Sequence, residues 1–233
     1  MKKVLLSIAL FVSAIFTVNA QTADEVIAKY ITEIGGAEKW AKVQSIKIEG
    51  QIEVQGIQIP FTMQGSQMKG MRVDAEFQGN KIIDITTPTK GWSQNPLSGK
   101  ATLSPISEDE LKQKLDDLDI QDAFVDYKAK GSVIESLGKD EEDGNEYFKI
   151  KMTTKNGNEK TYFFDTKTNL IYKIESIVKQ QGQEMKSEQK LLDYQTTEYG
   201  IKFPFKQDQG QMMMVTKKIT INPTIDATIF NGN

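Results

Sequence analysis

The 233-residue chain contains no cysteine and no histidine, and Arg72 is its one arginine. The absence of cysteine excludes a disulfide framework, a thiolate nucleophile and an N-terminal lipid carried on cysteine. The absence of histidine removes the commonest general base and the commonest ligand of transition metals. We therefore expect a protein that is not an enzyme and that holds neither a metal ion nor a cofactor.

An excess of charge of one sign is also missing, because 29 basic and 32 acidic residues leave a formal net charge of −3 and a pI near 5.3. A nucleic-acid-binding surface needs a clustered basic face, so we expect no nucleic-acid partner. Hydrophobic residues make up 38% of the chain and charged residues 26%, which suffices for one sizeable core. No linker-like stretch divides the sequence, and we expect a single domain over residues 21–233.

The one long apolar run lies at the start of the chain. Lys2 and Lys3 precede an apolar stretch over residues 4–18, and the small residue Ala20 comes shortly after it. This pattern is typical of a secretory signal peptide, which we expect over residues 1–20 with cleavage after Ala20. An uncleaved membrane anchor is the alternative, although the stretch is short for a membrane span. The mature chain is then expected to be a soluble protein of the periplasm.

Two amphipathic helices are predicted. Residues 23–34 carry apolar side chains at helical spacing and end at a pair of glycines, whereas residues 107–118 begin with Ser107 and Glu110 in a capping box. A short helical turn with Trp40 follows the first helix. These helices either pack against a sheet as part of its core or form a movable cover over a cavity.

Strands account for most of the remaining chain. Apolar and polar residues alternate in successive segments between residues 46 and 221, separated by short turns such as 78–80 and 143–145. The pattern predicts ten or eleven consecutive antiparallel strands, with a loop over residues 97–105. A sheet of so many sequential strands curls, and its concave apolar face is either filled by its own side chains or open to a ligand or to helices. We therefore expect an α+β fold that consists mainly of β-strands, with two or three helices inside the curled sheet or across its open end.

Three acidic clusters are the candidates for site chemistry. Residues 108–110 could suggest glycosidase carboxylates, but they lie at a predicted helix start, where acidic residues favour the helix dipole. Residues 116–122 offer oxygen ligands for calcium, yet they lack the glycine of an EF-type loop, and residues 140–143 form a hairpin tip. We interpret all three as structural. The methionines spread over the strands suit either an irregular core or a surface that accommodates acyl chains.

Three local patterns stand out within the predicted sheet. Residues 71–74 (Met, Arg, Val, Asp) lead to residues 90–96 (Lys, Gly, Trp, Ser, Gln, Asn, Pro); residues 163–170 read Phe, Phe, Asp, Thr, Lys, Thr, Asn, Leu; and residues 199–205 read Tyr, Gly, Ile, Lys, Phe, Pro, Phe. With the order of elements, they resemble the LolA and LolB type of periplasmic lipoprotein carrier, the outer-membrane lipoprotein-sorting proteins. The resemblance implies an unclosed β-barrel with a helical lid or plug and an apolar cavity for lipoprotein acyl chains.

The alternation and the resemblance together assign candidate site residues. The expected ligand-binding cavity is lined by apolar residues of the strands, with the tryptophan of the family pattern on the cavity side: Ile46, Ile48, Phe61, Met63, Met71, Val73, Phe77, Trp92, Phe148 and Ile150. The expected lid presents Ile27, Ile31, Leu111 and Leu115 to them. The resemblance also implies a basic residue that holds the lid closed, for which Lys69 and Arg72 are the candidates.

The function expected from these features is that of a monomeric periplasmic carrier. It would bind acyl chains of lipoproteins or a related lipid, receive them from an inner-membrane donor and deliver them to an outer-membrane acceptor. Two alternatives stand beside it. A dry, filled core would favour a non-catalytic interaction module of the cell envelope, and convergent polar groups inside the cavity would favour an envelope enzyme acting on a lipid or a polysaccharide.

Overall fold

The structure, a computed structural model, describes residues 21–180 and 183–232. The predicted signal peptide over residues 1–20 lies outside the described residues. Within the described part of the chain, no helix is both long and apolar enough to span a membrane.

One antiparallel sheet of thirteen strands dominates the fold. The strands are β1 (Ser45–Val54), β2 (Ile57–Ser66), β3 (Gly70–Phe77), β4 (Asn80–Thr86), β5 (Gly91–Asn95), β6 (Lys100–Pro105), β7 (Val133–Glu142), β8 (Asn145–Thr153), β9 (Glu159–Asp165), β10 (Ile171–Gln180), β11 (Gln183–Thr196), β12 (Lys202–Asp208) and β13 (Met212–Ile221). Their order in the sheet is β6-β5-β4-β3-β2-β1-β13-β12-β11-β10-β9-β8-β7, so that β6 and β7 form its two edges. The sheet is not closed into a barrel, which confirms the predicted unclosed architecture.

In residues 21–180 and 183–232, three α-helices accompany the sheet: α1 (Ala23–Glu33), α2 (Ala37–Ala41) and α3 (Glu108–Lys114). Helix α1 begins with a capping box between Thr22 and Glu25, and α3 begins with the predicted capping box between Ser107 and Glu110. Helix α3 ends earlier than predicted, because the chain tightens into a 3₁₀ turn at Leu115–Leu118. Two further 3₁₀ turns lie at Pro96–Ser98 and Ala227–Phe230.

The sheet is wider than the sequence predicted. The structure has strand β6 (Lys100–Pro105) where a loop over residues 97–105 was predicted, and that prediction is wrong. Strand β5 pairs with β6 in an irregular register that shifts between Ser93 and Asn95. Strand β5 consists largely of polar residues, and β6 lies at the edge of the sheet with most of its side chains exposed. Neither strand therefore shows the alternation of apolar and polar residues by which the other strands were predicted.

The two faces of the sheet differ in character, as period-two alternation requires. Ile48 lies opposite Met63, and Met63 lies opposite Val73, so that these apolar side chains share the inner face. Their neighbours along the strands, such as Gln64 and Arg72, lie on the outer face. The inner face therefore carries the main core.

The inner face is covered by α1, α2 and a stretch between α3 and β7 that we call the plug segment (residues 115–130). Phe124 of this segment is 1% exposed, and its ring makes edge-on contacts with Tyr30 of α1 and with Tyr162 and Phe164 of the sheet. Such aromatic pairs contribute roughly 0.5–1.5 kcal/mol each beyond the burial of their area. Helix α1 and the plug segment are therefore packed as one unit against the sheet.

The plug segment is also tied to the sheet by hydrogen bonds. The amide of Met68 donates to the carbonyl of Leu118 at 2.8 Å, and the amide of Ile120 donates to Gln67 Oε1 at 2.8 Å. Gln67 Nε2 in turn donates to Asp119 Oδ1 at 2.7 Å. The turn between β2 and β3 thereby fixes the start of the segment.

Charged residues cover part of the outer face. Lys173 is 6% exposed, and its amine lies 2.5 Å from Glu142 Oε2 and 4.3 Å from the centroid of the Phe163 ring. Glu142 of β7 also pairs, at 3.5 Å, with Lys190 of β11, the strand next to that of Lys173. The acidic cluster over residues 140–143 is thus partly a cross-strand network on the outer face rather than a solvated hairpin tip alone.

Candidate functional site

A cavity of about 300 Å³ lies between the inner face of strands β9 to β12 and the elements that cover it. Its walls come from α1, α2, the plug segment and the sheet, and are formed by Tyr30, Trp40, Ile120, Gln121, Asp122, Ala123, Phe124, Tyr162, Ile171, Ile174, Gln189, Leu191, Tyr194, Lys202, Phe203, Pro204 and Gln207. Its volume is at the lower end of the range for small-molecule sites, roughly 300–1,000 Å³. Aromatic and aliphatic side chains with a few polar groups are the usual lining of such sites.

One end of the cavity is aromatic. The Trp40 ring packs on the Phe203 ring with centroids 4.9 Å apart, and Trp40 Nε1 donates a 3.0 Å hydrogen bond to the carbonyl of Ile34. Because the bond satisfies the indole N–H inside the core, the ring is held at the cavity wall without an unpaired donor. The backbone N–H of Lys202 donates to the same Ile34 carbonyl at 2.9 Å, so this end lies at the C-terminus of α1.

A hydroxyl–carboxylate pair stands in the wall beside the aromatic residues. The Tyr30 hydroxyl donates to Asp122 Oδ2 at 2.5 Å, and the amide of Phe124 donates to Asp122 Oδ1 at 2.9 Å. Burial raises the pKa of the Asp122 carboxyl above its ordinary value, although both hydrogen bonds act in the opposite direction. Burial and the nearby Asp122 charge likewise raise the pKa of Tyr30. The pair is therefore a polar contact in the cavity wall, and it joins α1 to the plug segment.

The other end of the cavity carries two glutamines. Gln189 Nε2 of β11 donates to Gln207 Oε1 of β12 at 2.6 Å. Gln207 lies five residues after Lys202 on the same strand, which is roughly 17 Å at about 3.3 Å per residue. The cavity is therefore elongated along β12, with Trp40 and Phe203 near one end and the glutamine pair near the other.

A smaller cavity of about 180 Å³ lies beside the plug segment, near Asp116 and Asp119. Asp116 accepts hydrogen bonds from Thr154 at 2.9 Å and from Asn156 and Asn158 at 2.6 and 2.7 Å, and Asp119 pairs with Lys130 at 2.6 Å. These partners use the carboxylates that the sequence offered for calcium. In the described ranges, no group of three or more acidic side chains is arranged to hold a metal ion.

Most of the predicted cavity residues lie on the inner face, but they do not line the 300 Å³ cavity. Ile46, Ile48, Phe61 and Ile150 are buried in the main core, and Met63, Met71 and Phe148 pack against it. Val73 and Phe77 are half-buried on the same face of β3 by register. Most of these positions thus belong to the packed inner face and not to the wall of the 300 Å³ cavity.

Trp92 does not lie on the predicted cavity side of the sheet, and the latch candidate Arg72 lies on the same face as Trp92. Trp92 lies opposite Ile85, and Ile85 lies opposite Arg72, so all three side chains are on the outer face. There Trp92 packs against Gly232, where an added Cβ would collide with the indole ring. A shift of one residue in register reverses the face of a whole strand, and the sequence alone does not fix that register.

Arg72 holds the C-terminal segment rather than a lid. Its guanidinium donates two 2.7 Å hydrogen bonds to the Asp74 carboxylate and a third, at 3.0 Å, to the carbonyl of Ile229. The other latch candidate, Lys69, is exposed in the turn between β2 and β3. Since Arg72 faces away from α1 and α3, it cannot latch them.

The predicted lid residues divide between core and surface. Ile27 is buried in the core and Ile31 packs against it, so α1 is part of the packed inner face. Leu111 of α3 is half-buried, and α3 contains no buried residue. Leu115 lines the smaller cavity.

The residues that build the 300 Å³ cavity, among them Trp40, Phe203, Gln189 and Gln207, were not predicted from the sequence. Trp40 stands on a five-residue helix whose apolar pattern is too short to assign a face. Strand β11 carries so many polar residues that its inner face is not evident from composition. The pairing of Gln207 with Leu191 and Met214 shows that Gln207 lies on the inner face, but this pairing is known only once the strand register is known.

Comparison with known proteins identifies the fold. No family model and no curated protein matches the chain. Among solved structures, a LolA superfamily protein from Nitrosomonas europaea is 10% identical, with a TM-score of 0.56 over 90% of this chain and 97% of that one. A DUF1329 family protein from Desulfovibrio piger is 12% identical, with a TM-score of 0.55 over 88% and 97% of the two chains.

A putative outer membrane lipoprotein-sorting protein domain from Vibrio parahaemolyticus is also similar. It is 10% identical, with a TM-score of 0.52 over 89% of this chain and 95% of that one. All three similarities extend over nearly the whole described chain. The chain therefore has the LolA-like fold, as the resemblance in its sequence implied.

Proposed function

We propose that this chain with a LolA-like fold is a periplasmic carrier that holds an acyl chain of a lipoprotein, or a related lipid, for delivery to the outer membrane. The observation that carries the proposal is the elongated cavity of about 300 Å³ on the inner face of the sheet. Its walls combine aromatic residues at one end with Ile174 and Leu191 along the strands. An apolar tail would replace water in a space that the protein already provides.

Burial of an acyl chain supplies the affinity in this proposal. Each methylene removed from water contributes roughly 0.8 kcal/mol, so ten methylenes contribute about 8 kcal/mol before the costs of association. This favourable free energy does not require a charged group on the ligand. Binding by the hydrophobic effect would therefore tolerate acyl chains of different origin.

The fold supports the role of carrier. One structure of the same fold is described as an outer membrane lipoprotein-sorting domain, and the signal-like N-terminus of this chain agrees with export. In the proposed cycle, a donor at the inner membrane loads the mature monomer and an acceptor at the outer membrane unloads it. The protein performs no chemical step on the cargo.

Release requires the covering elements to move. At one end of the cavity, Trp40 of helix α2 packs on Phe203 of the sheet. Helix α2 spans five residues, Ala37–Ala41, and follows two glycines at positive φ, Gly35 and Gly36. We therefore assign the movement to α2, while α1 stays packed in the core.

Two neighbouring leucines provide the test. Leu191 lines the cavity, whereas Leu192 is on the outer face of the same strand, opposite Lys206, and both side chains are half-buried. We expect Leu191→Asp to weaken binding of a dansyl-labelled long-chain fatty acid roughly tenfold or more, since a carboxylate in contact with an acyl chain loses hydration. Leu192→Asp should bind the probe within about twofold of the unmodified protein.

The measurement is fluorescence titration of the mature protein, with circular dichroism to show that both variants are folded. A folded protein that takes up no probe, or equal binding by the two variants, would overturn the proposal. Native mass spectrometry of protein purified gently from the periplasm, followed by lipid extraction, would then identify the cargo that the cavity carries.

A further inference from the structure

The glutamine pair occupies an apolar part of the inner face. Gln189 lies opposite Ile174 in the β10–β11 pairing, and Gln207 lies opposite Leu191 and Met214 on its two neighbouring strands. Both glutamines line the cavity. Two carboxamides among these aliphatic side chains carry a partial desolvation cost, which hydrogen bonds to each other, to water or to a ligand offset.

The hydrogen bond between the two glutamines uses only part of their hydrogen-bonding capacity. This one bond, from Gln189 Nε2 to Gln207 Oε1, leaves Gln189 Oε1 and Gln207 Nε2 without a partner among the described residues. Neither atom is enclosed, because Gln21 Nε2 is the one fully buried, unpaired side-chain polar atom in the described ranges. If the oxygen and nitrogen atoms of both side-chain amides are interchanged, one amide oxygen and one amide nitrogen still lack a protein partner.

We propose that this pair recognises a secondary amide at the head of the bound chain, so that the preferred ligands are N-acyl amides. The inference rests on the proposed function, since it concerns the same cavity. The carbonyl of a ligand amide would accept from the free N–H of one glutamine, and its N–H would donate to the free oxygen of the other. An ester offers the carbonyl alone and would leave the glutamine acceptor unpaired.

The shape of the cavity agrees with this assignment. The glutamine pair is roughly 17 Å along β12 from Lys202, and Ile174, Leu191 and Phe203 lie on the walls between or near these ends. A ligand held by its amide at the glutamines would therefore extend its hydrocarbon tail toward Trp40 and Phe203. The polar end and the apolar end of such a molecule match the two ends of the cavity.

The test compares two ligands of equal chain length, N-methyl dodecanamide and methyl dodecanoate, as competitors of the dansyl-labelled fatty acid. We expect the amide to displace the probe from the unmodified protein at a roughly tenfold lower concentration, the effect of one additional hydrogen bond. Gln189→Met combined with Gln207→Met removes both carboxamides with little change in size and should reduce this preference to within about twofold. The control Gln64→Met, on the outer face of β2 opposite Arg72, should retain it.

The outcomes separate this inference from the proposed function. Equal displacement by amide and ester in the unmodified protein overturns the inference, while the probe uptake that makes the experiment possible supports the carrier. A double variant, Gln189→Met with Gln207→Met, that keeps the tenfold preference also overturns it. If the double variant fails to fold, the ratio measured on the unmodified protein decides. Absence of probe uptake by the folded protein is the failure of the proposed function itself.

Discussion

The hydroxyl of Tyr30 and the carboxylate of Asp122 are joined by a 2.5 Å hydrogen bond that connects helix α1 to the plug segment. Tyr30 is buried, and its ring also packs edge-on against Phe124 and Phe164. One side chain thus serves both the aromatic core and a polar contact in the wall of the cavity. The position of α1 over the sheet depends on both.

Tyr30→Phe is expected to lower the free energy of unfolding by about 1–3 kcal/mol, because it leaves the buried Asp122 carboxylate short of a donor. Urea denaturation of single variants and of Tyr30→Phe combined with Asp122→Asn measures the coupling between the two groups. Tyr127→Phe is the matched control, since the Tyr127 hydroxyl donates to Asp24 at the same 2.5 Å but Asp24 is largely exposed. An equal loss in both variants would contradict the role assigned to burial.

The stability of the protein should depend on pH through Asp122. Burial raises the folded-state pKa of this carboxyl above its ordinary value of 3.8, so the ionised form is disfavoured in the folded protein at neutral pH. The free-energy cost of an ionised Asp122 in the folded protein disappears as the pH falls through the raised folded-state pKa toward 3.8. The unmodified protein should therefore gain stability relative to Asp122→Asn on acidification.

The comparison with Asp122→Asn isolates this one group. Carboxyls with lowered pKa, such as Asp24 with its Tyr127 and Lys128 partners, lose their contribution at low pH in both proteins. Urea unfolding at a series of pH values between about 7 and 4 measures the difference. A difference that stays constant over this range would show that Asp122 titrates alike in the folded and unfolded states.

The two tryptophans of the chain should report ligand binding unequally. Trp40 lines the cavity, whereas Trp92 is on the outer face against Gly232. N-methyl dodecanamide should change the emission of the unmodified protein and of Trp92→Phe, because both retain the indole at the cavity wall. Trp40→Phe should lose the change, with displacement of the dansyl probe showing separately that it still binds. A signal that follows Trp92 would place the ligand on the wrong face.

The C-terminal segment should stabilise the fold without contributing to binding. Phe230 is buried on the outer face, and its ring fills the space above Gly70, where an added Cβ would lie 2.5 Å from the ring. Phe230→Ala is expected to cost about 3–5 kcal/mol in the free energy of unfolding, the usual range for a buried phenylalanine. Probe affinity, measured on the folded fraction below the transition, should stay within about twofold. A large loss of affinity would indicate coupling between the two faces.

The sequence predicts the architecture well where local chemistry decides it. The predicted capping box at Ser107 involves residues three apart, and turn residues mark most hairpins, so both are evident without knowledge of the tertiary structure. Strand β6 was missed because an edge strand needs no apolar alternation, and its side chains are mostly exposed.

The site is less predictable because it depends on pairing between distant strands. Trp92 was assigned to the inner face, and the pairing of β4 with β5 through Ile85 and Trp92 places it outside. The cavity likewise arises where β10 to β12 meet α2 and the plug segment, which are far apart in sequence. No local pattern around Gln189 or Gln207 indicates that the two side chains meet.

The strand order has a consequence for how the chain folds. Every neighbouring pair in the sheet is consecutive in sequence except β1 and β13, which join Ile46 to Ile221. Strands β1 to β6 and β7 to β13 are therefore two meanders whose hairpins can form locally, on the order of microseconds. Their union must close nearly the whole chain into a loop, which costs entropy before any contact rewards it. We expect this closure to limit the folding rate, and its transition state to contain β1 and β13 before the outer strands are complete.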